Sequence, residues 1–480
     1  MLEKLFKLKE NGTTARTELV AGVTTFMTMA YIVALNPNLL TNFGAGDGTA
    51  PVPELWNAVF LATCIASAVA CIVMGLLANK PFALSSGMGL NSFFAVICGN
   101  IAAMTGMSYV QSYRAALVII LIEGIVFILL SLLNIREKIV DAIPLGVRLG
   151  IGPGIGLMLM NIGFGSNAGI YSESGGPFFM MRDFFGALTP SVAQRQMGTG
   201  YAQMVLTVAT VFLGLFVIVA LDHRKVKGAV LFGMLAASAV YWAGEAVFLH
   251  TNPFAALKGA SFLPPMRDLA EVTLFRLDFR GFAEIGWFTV VTLTVTFCVI
   301  DMFDTIGTLV GTVSRANMLD ENGKMPQMKE ALLSDAIGTV AGALTGTSTV
   351  TTFVESASGV EAGGRTGLTA IVTGLLFLAC MLIAPIAAII PAGATSAALI
   401  YVGILMLSNL KLLDFNDITQ TLPVFIMLLA MPISGSIGHG IGLALISYSI
   451  LKLCTGKGRE VTALTYVLAL IFLLKFFLAV

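Results

Sequence analysis

A single carboxylate, Glu355, lies in a stretch of small and hydroxyl residues, Gly346–Gly359 (GTSTVTTFVESASG), with apolar runs on both sides. The stretch opens with residues that favour extended backbone and continues with small residues that suit a helix start. A carboxylate at membrane depth costs about 2.5–3.5 kcal/mol, and irregular backbone is tolerated there only when protein buries it or a cavity wets it. We therefore expect an unwound segment whose buried acid forms a substrate site in a transporter. The alternative is an ordinary loop with a surface glutamate.

Two further acids, Asp301 and Asp304, lie three residues apart in the apolar run Phe297–Gly311, so they lie near one face of a helix. Neither has a basic residue within one turn. Removal from water and a second nearby carboxylate both favour the neutral form of a carboxyl group, so this pair suits a group that takes up and releases a proton. The alternative is that both aspartates bond only backbone or hydroxyl groups. Glu123, in an earlier apolar run, is expected to be structural.

The composition is that of a polytopic membrane protein. Of 480 residues, 57% are hydrophobic and 11% are charged, with a mean hydropathy of +0.91, whereas soluble domains carry about 25% charged residues. The formal net charge is zero, so nothing predicts a nucleic-acid partner. The cysteines show no CxxC spacing, and the sequence has no phosphate-binding loop, HExxH or GxSxG motif. We predict no metal, no cofactor and no enzymatic activity.

The apolar runs predict an all-α protein of about fourteen transmembrane segments, in which segments 3 and 10 are a short strand followed by a half-helix. The runs cover about 18–36, 57–77, 81–100, 115–133, 139–162, 204–221, 230–249, 287–313, 331–344, 346–359, 368–390, 394–410, 421–431 and 437–453. Pro37 is expected to end the first run, and a last run at 464–477 leaves the count open by one. Apart from Arg114, the basic residues of the loops fall on one side, which predicts a cytoplasmic N-terminus.

The two halves of the chain share short patterns in the same order. Arg114 and Arg365 each begin an Arg-x-x-Leu pattern, and Pro144 and Pro391 each precede a glycine by twelve residues. The broken segments 3 and 10 each place a polar residue and a serine after a run rich in small residues. Seven segments per half is an odd number, so the halves must cross the membrane in opposite directions. Such an inverted repeat is typical of secondary transporters, whose site lies where the broken helices meet.

Four motifs resemble those of one transporter family over nearly the whole chain. They are Val20–Tyr31 (VAGVTTFMTMAY), Gly87–Asn91 (GMGLN), Phe303–Leu309 (FDTIGTL), and Gly346–Ser356 with the following GGRTGL. In these motifs the chain is similar to the azaguanine-like purine permeases, a branch of the nucleobase–ascorbate transporters (nucleobase:cation symporter-2). The resemblance implies a seven-plus-seven inverted repeat and cotransport with protons.

The resemblance also implies two domains and a place for the substrate. A core domain would comprise segments 1–4 and 8–11 (residues 1–134 and 287–391), and a gate domain segments 5–7 and 12–14 (135–286 and 392–480). Substrate would bind between segments 3 and 10. Related uracil carriers place a glutamate and a histidine four apart on segment 8, where this chain has Asp304 and Thr308. They also place an aromatic residue in segment 3, where this chain has Met88, so base stacking would come from Phe353 or Phe26.

The resulting prediction is a proton-coupled importer of purine nucleobases, with guanine and hypoxanthine favoured, in the inner membrane of a bacterium. Glu355 would recognise the base, because a carboxylate accepts two adjacent N–H groups. Asp304 would be the main proton site, together with Glu355 and Asp301. The other predicted contacts to the substrate are Asn91, Thr308, Thr352, Ser356, Phe353, Met88 and Phe26.

Several alternatives remain open at this point. Within the same architecture they are an adenine-preferring permease and an anion carrier, although an anion carrier is expected to have a basic residue where Glu355 stands. From other classes they are a channel, which would transport without a proton gradient, and an intramembrane enzyme, which would need a nucleophile or a metal cluster. The expected partners are a purine base, protons and the lipid bilayer, and a homodimer is left open.

Overall fold

The computed structural model describes residues 2–42, 53–133, 144–167, 190, 200–258, 260–315 and 325–478. Its contacts divide the chain into two compact units. The first unit comprises Met1–Val140 and Phe262–Ala384, and the second comprises Asp141–Ser261 and Pro385–Val480. The expected boundaries at 134, 286 and 391 differ from these divisions, most of all at 262–286. The roles of core and gate stay predictions.

The described part of the chain has ten helices that are long and apolar enough to cross a membrane, together with shorter apolar helices. Segments 1–7 are Ala15–Thr41, Pro53–Ala78, strand β1 (Leu84–Ser86) with Met88–Thr105, Tyr109–Leu132, Leu145–Gly165, Tyr201–His223 and Ala229–Leu249. Segments 8–14 are Trp287–Arg315, Met328–Thr345, strand β2 (Val350–Thr352) with Ser356–Glu361, Gly367–Ala388, Ala392–Leu412, Ile418–Ser434 and Ile437–Cys454. The predicted all-α class, with two broken segments, is confirmed. A further helix, Ala463–Leu478, follows segment 14.

Segment 1 is interrupted in its middle, and the prediction that Pro37 ends it is wrong. The first helix covers Ala15–Met29, and a second, Ile32–Asn42, continues through the proline. The new helix starts tightly, since the amide of Val33 bonds the carbonyl three residues back, at 3.3 Å. Pro37 is the sixth residue of this helix, so the helix continues without the one bond that an amide at this position would make to the Val33 carbonyl. The interruption at Tyr31 therefore replaces the expected break at Pro37.

Strands β1 and β2 pair with each other in antiparallel register, with Leu84 opposite Thr352 and Ser86 opposite Val350. Two more backbone bonds extend the pair, from the Gly87 amide to Thr349 at 3.1 Å and from the Phe353 amide to Ala83 at 3.0 Å. Unpaired backbone groups are costly at membrane depth. Pairing the two broken segments with each other satisfies these groups, and it fixes the two half-helices that follow.

The repeat is visible in the packing of equivalent segments. Within the first unit, Gly124 of segment 4 packs so closely on segment 9 that an added Cβ would lie 2.7 Å from Val340. Gly374 of segment 11 packs in the same way on segment 2, 3.1 Å from the Cβ of Cys71. Within the second unit, the equivalent glycines Gly156 and Gly403 face each other, and each added Cβ would lie 2.5 Å from the carbonyl oxygen of the other glycine. Small residues thus allow the helix backbones to approach closely at matching places.

Arg114, the exception to the distribution of basic residues, is bound to backbone rather than left free. Its guanidinium donates to the carbonyls of Val272 at 2.7 Å and Glu271 at 3.0 Å. A short helical turn ends at the next residue, Thr273, whose hydroxyl donates to the carbonyl of Thr345 at 2.8 Å. These bonds attach the connection before segment 8 to segments 4 and 9. The sequence predicted that this connection belongs to the second domain, whereas its contacts group it with the first unit.

Candidate substrate and proton site

Glu355 follows strand β2 directly before the short helix Ser356–Glu361, and its side chain is half-buried. Its Oε1 accepts a hydrogen bond of 2.8 Å from the hydroxyl of Tyr31, which is fully buried. Tyr31 lies at the interruption of segment 1. The sequence interpretation did not include it in the site, although it ends the first recognised motif. The continuous helix predicted over this region gave no reason to turn its hydroxyl toward segment 10.

Asp304, half-buried on segment 8, also contacts segment 10. Its carboxylate is hydrogen-bonded by the side chain of Thr351, and it lies within electrostatic range of Glu355 and Asp335. Three acids from segments 8, 9 and 10 therefore lie close together in the first unit. Such a group of carboxylates can share protons, because the charge of each acid raises the cost of ionising its neighbours.

Asp301 is fully buried one turn before Asp304, and the Thr305 hydroxyl links it to Asp335. The hydroxyl of Thr305 lies 2.9 Å from Oδ1 of Asp335 on segment 9 and 3.2 Å from Oδ1 of Asp301. A hydroxyl has one hydrogen and two lone pairs, so Thr305 can donate to only one of the two carboxylates. It can accept a hydrogen bond from the other only when that carboxyl group is protonated. Asp335, also fully buried, was not predicted. As a lone acid in an apolar helical run, it could have been found by the argument used for Glu355.

The two adjacent threonines of β2 lie on opposite faces of the strand. Side chains alternate along a strand, and Val350 faces segment 9, where its side chain lies 3.1 Å from a Cβ added at Gly338. Thr352 shares that face and is buried, and its hydroxyl has no hydrogen-bond partner. Thr351 lies on the other face of the strand, and its side chain is hydrogen-bonded to Asp304. The predicted contact of Thr352 with the substrate stays a prediction, while Thr351 is the threonine that reaches the acids.

Asn91 and Ser356 hold the two broken segments in place. The amide nitrogen of Asn91 donates to the Asn36 side chain, and its oxygen accepts from the Ser348 hydroxyl. Ser356 Oγ accepts from the backbone amide of Ala83, at 3.0 Å. Asn91 and Ser356 are fully buried. Their hydrogen bonds therefore join segments 1, 3 and 10 around the strand pair, and direct contact with a substrate stays a prediction for both.

The remaining predicted contacts have surroundings of different kinds. Met88 is buried at the start of the segment 3 helix, and Phe353 is buried directly after β2. Phe26, half-buried on segment 1, makes a T-shaped contact with Phe377 of segment 11, with ring centroids 5.4 Å apart. Thr308 is half-buried one turn after Asp304. Phe353 lies two residues before Glu355 in the sequence, so it is the aromatic residue we propose for stacking.

The long apolar helices are those of a multi-pass membrane protein, and comparison with known proteins shows its class, the permeases. Residues 16–445 match a permease family model, Xan_ur_permease. The chain is similar to the permease MJ0326 of Methanocaldococcus jannaschii, with 41% identity over 99% of this chain and 98% of that one. It is also similar to the adenine permease AdeP of Escherichia coli (38%, 99% and 96%) and to the guanine/hypoxanthine permease PbuO of Bacillus subtilis (35%, 99% and 100%). The chain therefore belongs to the nucleobase–ascorbate transporter family, as its motifs indicated.

Solved structures of lower sequence similarity share the fold. The transmembrane domain of the cyanobacterial bicarbonate transporter BicA superimposes with a TM-score of 0.61 at 15% identity, covering 89% of this chain and 97% of that one. The anion transporter Slc26a9 of mouse superimposes with a TM-score of 0.58 at 12% identity, covering 92% of this chain and 68% of that one. At these identities the similarity concerns the fold alone.

Proposed function

We propose that this protein is a proton-coupled importer of purine nucleobases in a cytoplasmic membrane, with a cytoplasmic N-terminus, and that it works by alternating access. One observation carries the proposal: the Glu355 carboxylate of broken segment 10 accepts a hydrogen bond from Tyr31 of segment 1 and lies within electrostatic range of Asp304 of segment 8. The purine permeases among its relatives supply the substrate class. The base and the proton would then bind within one cluster of side chains.

Glu355 accepts N–H groups of the base in this scheme. Guanine presents two adjacent N–H donors on its Watson–Crick edge and hypoxanthine presents one, and a carboxylate offers acceptor lone pairs to both. Phe353 stacks on the ring, as aromatic side chains commonly do with nucleobases. Asp304, with Asp301 and Asp335 behind it, takes up the proton that accompanies the base and releases it on the other side.

Adenine is the second candidate substrate, since the adenine permeases AdeP and AdeQ are 38% and 37% identical to this chain and PbuO and PbuG are each 35% identical. Adenine offers an acceptor at N1 beside its exocyclic N–H group, so it would pair best with a protonated carboxyl group. The two bases therefore require different protonation states of Glu355.

Uptake of labelled guanine, hypoxanthine and adenine into cells that lack their own purine permeases tests the proposal. Each base should be taken up or should compete, and an uncoupler should abolish accumulation above the external concentration. If none of the three bases enters or competes, the proposed function is wrong. If accumulation survives the uncoupler, proton coupling is wrong and purine transport stands.

A further inference from the structure

A hydrogen-bond donor within the protein itself is directed at the Glu355 carboxylate. It is the buried Tyr31 hydroxyl, which donates to Oε1 at 2.8 Å. An ionised carboxylate has about four acceptor positions and no donor, so its remaining lone pairs are available to a ligand. The protein thus provides this acid with a donor before any substrate arrives.

From this arrangement we infer that Tyr31 is a specificity-determining residue, which holds Glu355 as an acceptor and so selects purines that carry N–H at position 1. The inference rests on the proposed purine transport and concerns the same site. Tyr31 approaches from segment 1, while the neighbouring titratable group, Asp304, approaches from segment 8. Tyr31 acts on the base only through Glu355, and in that sense it is a positioning residue.

The chemistry of the bases gives the direction of the preference. Guanine and hypoxanthine have N1–H, which meets an acceptor. Adenine has a lone pair at N1, which meets a second lone pair on an ionised carboxylate and is repelled. Loss of the Tyr31 hydroxyl removes a donor that stabilises the ionised acceptor, so the neutral carboxyl group, which can donate to adenine N1, becomes easier to reach. Hydrogen bonds to charged groups are among the strongest in proteins.

The test is Tyr31→Phe, compared with wild type for inhibition of labelled hypoxanthine uptake by unlabelled guanine and adenine. We expect the ratio of the inhibition constant for adenine to that for guanine to fall at least tenfold in the variant. Tyr113→Phe is the matched control, because Tyr113 is also fully buried and its hydroxyl donates at 2.8 Å, to the Gly346 carbonyl. The control should lose a comparable hydrogen bond and keep the wild-type ratio.

A second measurement needs no variant. On the wild-type protein, 1-methylhypoxanthine, which lacks N1–H, should compete at least tenfold more weakly than hypoxanthine. An unchanged ratio in Tyr31→Phe, an equal change in Tyr113→Phe, equal competition by 1-methylhypoxanthine, or a wild-type preference for adenine would each overturn the role of Tyr31. None of these results would remove purine transport itself, which fails only if no purine enters or competes.

Discussion

Glu355 and Asp304 have different neighbours, and this difference suits them to different tasks. Glu355 accepts from Tyr31, and its remaining lone pairs suit it to accept N–H groups from a base. Asp304 has a threonine hydroxyl and the charges of two other carboxylates around it. Because like charges resist simultaneous ionisation, we propose Asp304 as the proton carrier and Glu355 as the acceptor for the base, and substitutions should separate the two roles.

Glu355→Gln should abolish high-affinity purine uptake while the protein still inserts. The amide keeps the shape but replaces an acceptor oxygen with NH2, which then faces N–H groups of the base. Loss of one hydrogen bond to a charged group costs roughly 1.5–3 kcal/mol, and an unsatisfied group adds to this. Uptake kinetics and membrane abundance check the result. Glu361→Gln, an exposed position six residues further on, is the control, and near-normal affinity in Glu355→Gln would contradict the recognition role.

Asp304→Asn should impair proton coupling more than it impairs exchange of the base. Asparagine cannot carry a proton but keeps the size of the side chain and can still bond Thr351. Net accumulation of labelled purine driven by a pH gradient should therefore collapse, while counterflow exchange in proteoliposomes, which needs no net proton movement, should persist. The proton role of Asp304 would be refuted by a variant that still accumulates purine under a pH gradient as the wild type does.

At the scale of single residues, the sequence predicted the acids better than their partners. Glu355, Asp304 and Asp301 stand out because a carboxylate is costly in an apolar segment. Thr351 and Thr352 could not be told apart, because the face of each depends on the pairing of β2 with a strand more than 260 residues earlier. A one-residue shift of this register would reverse their roles.

At the scale of elements, short segments depend on side-chain contacts with their neighbours. The helix Ser356–Glu361 has only six residues, too few to be stable alone. It packs on segment 1, where an added Cβ at Gly359 would lie 2.0 Å from the hydroxyl of Thr25. Arg365 donates to the carbonyl of Val360 at 2.6 Å, near the end of this helix. The position of this short helix, and of Glu355 at its start, therefore depends on segment 1 and on the residues that precede segment 11.

Glu18→Gln should lower the stability of this arrangement. The buried Glu18 carboxylate accepts from the amides of Arg365 at 2.8 Å and Thr366 at 3.2 Å, and from the hydroxyl of Thr369 at 2.6 Å, so it attaches segment 1 to the start of segment 11. Glutamine would turn an NH2 group toward these donors and leave buried groups unsatisfied, at about 1–3 kcal/mol each. Thermal unfolding in detergent should show a lower midpoint for this variant. The control Glu54→Gln, at an exposed position at the start of segment 2, should unfold at the same midpoint as the wild type. Equal midpoints for Glu18→Gln and wild type would contradict this.

The ends of segments 13 and 14 should lose stability in acid. The buried Lys452 contacts Glu460 at 2.7 Å and Asp417 at 4.0 Å. Hydrogen bonds from Thr419 and Gln420 lower the pKa of Asp417 to about 2, and the bond from Lys452 lowers the pKa of Glu460. Both pKa values are lower in the folded protein than in the unfolded chain, so the stabilisation is complete at pH values above the ordinary pKa range of carboxyl groups. It is lost as the pH falls, and for Asp417 the loss extends toward a pH of about 2.

Thermal unfolding between pH 7 and 3 measures this effect. Lys452→Met should reduce the part of the pH dependence that Glu460 contributes, while Lys411→Met, at an exposed position, should leave it unchanged. A midpoint in the wild type that does not fall with pH would rule out the carboxylates as a source of stability.

At the scale of the whole molecule, the repeat was predictable and the limits of the compact units were not. Pro144 and Pro391, with the glycines twelve residues later, marked equivalent segments in the sequence, and those glycines contact each other within the second unit. The connection at 262–286 carries no comparable pattern. Its place in the first unit depends on Arg114 and on Thr273, whose hydrogen bonds to distant backbone carbonyls have no sequence signature.

The division into two units predicts which distances change during transport. If substrate is carried by one unit past the other, Asn91 and Glu355, both in the first unit, must move together. Labels at Asn91 itself would break its buried hydrogen bonds, so exposed positions serve better: Met104 and Leu382 in the first unit and Phe248 in the second. Spin-label distances should stay constant for Met104–Leu382 and shift for Met104–Phe248 between purine-bound and purine-free protein. Equal shifts in both pairs would show that the first unit deforms instead of moving as a body, and the alternating-access scheme would then need a different moving part.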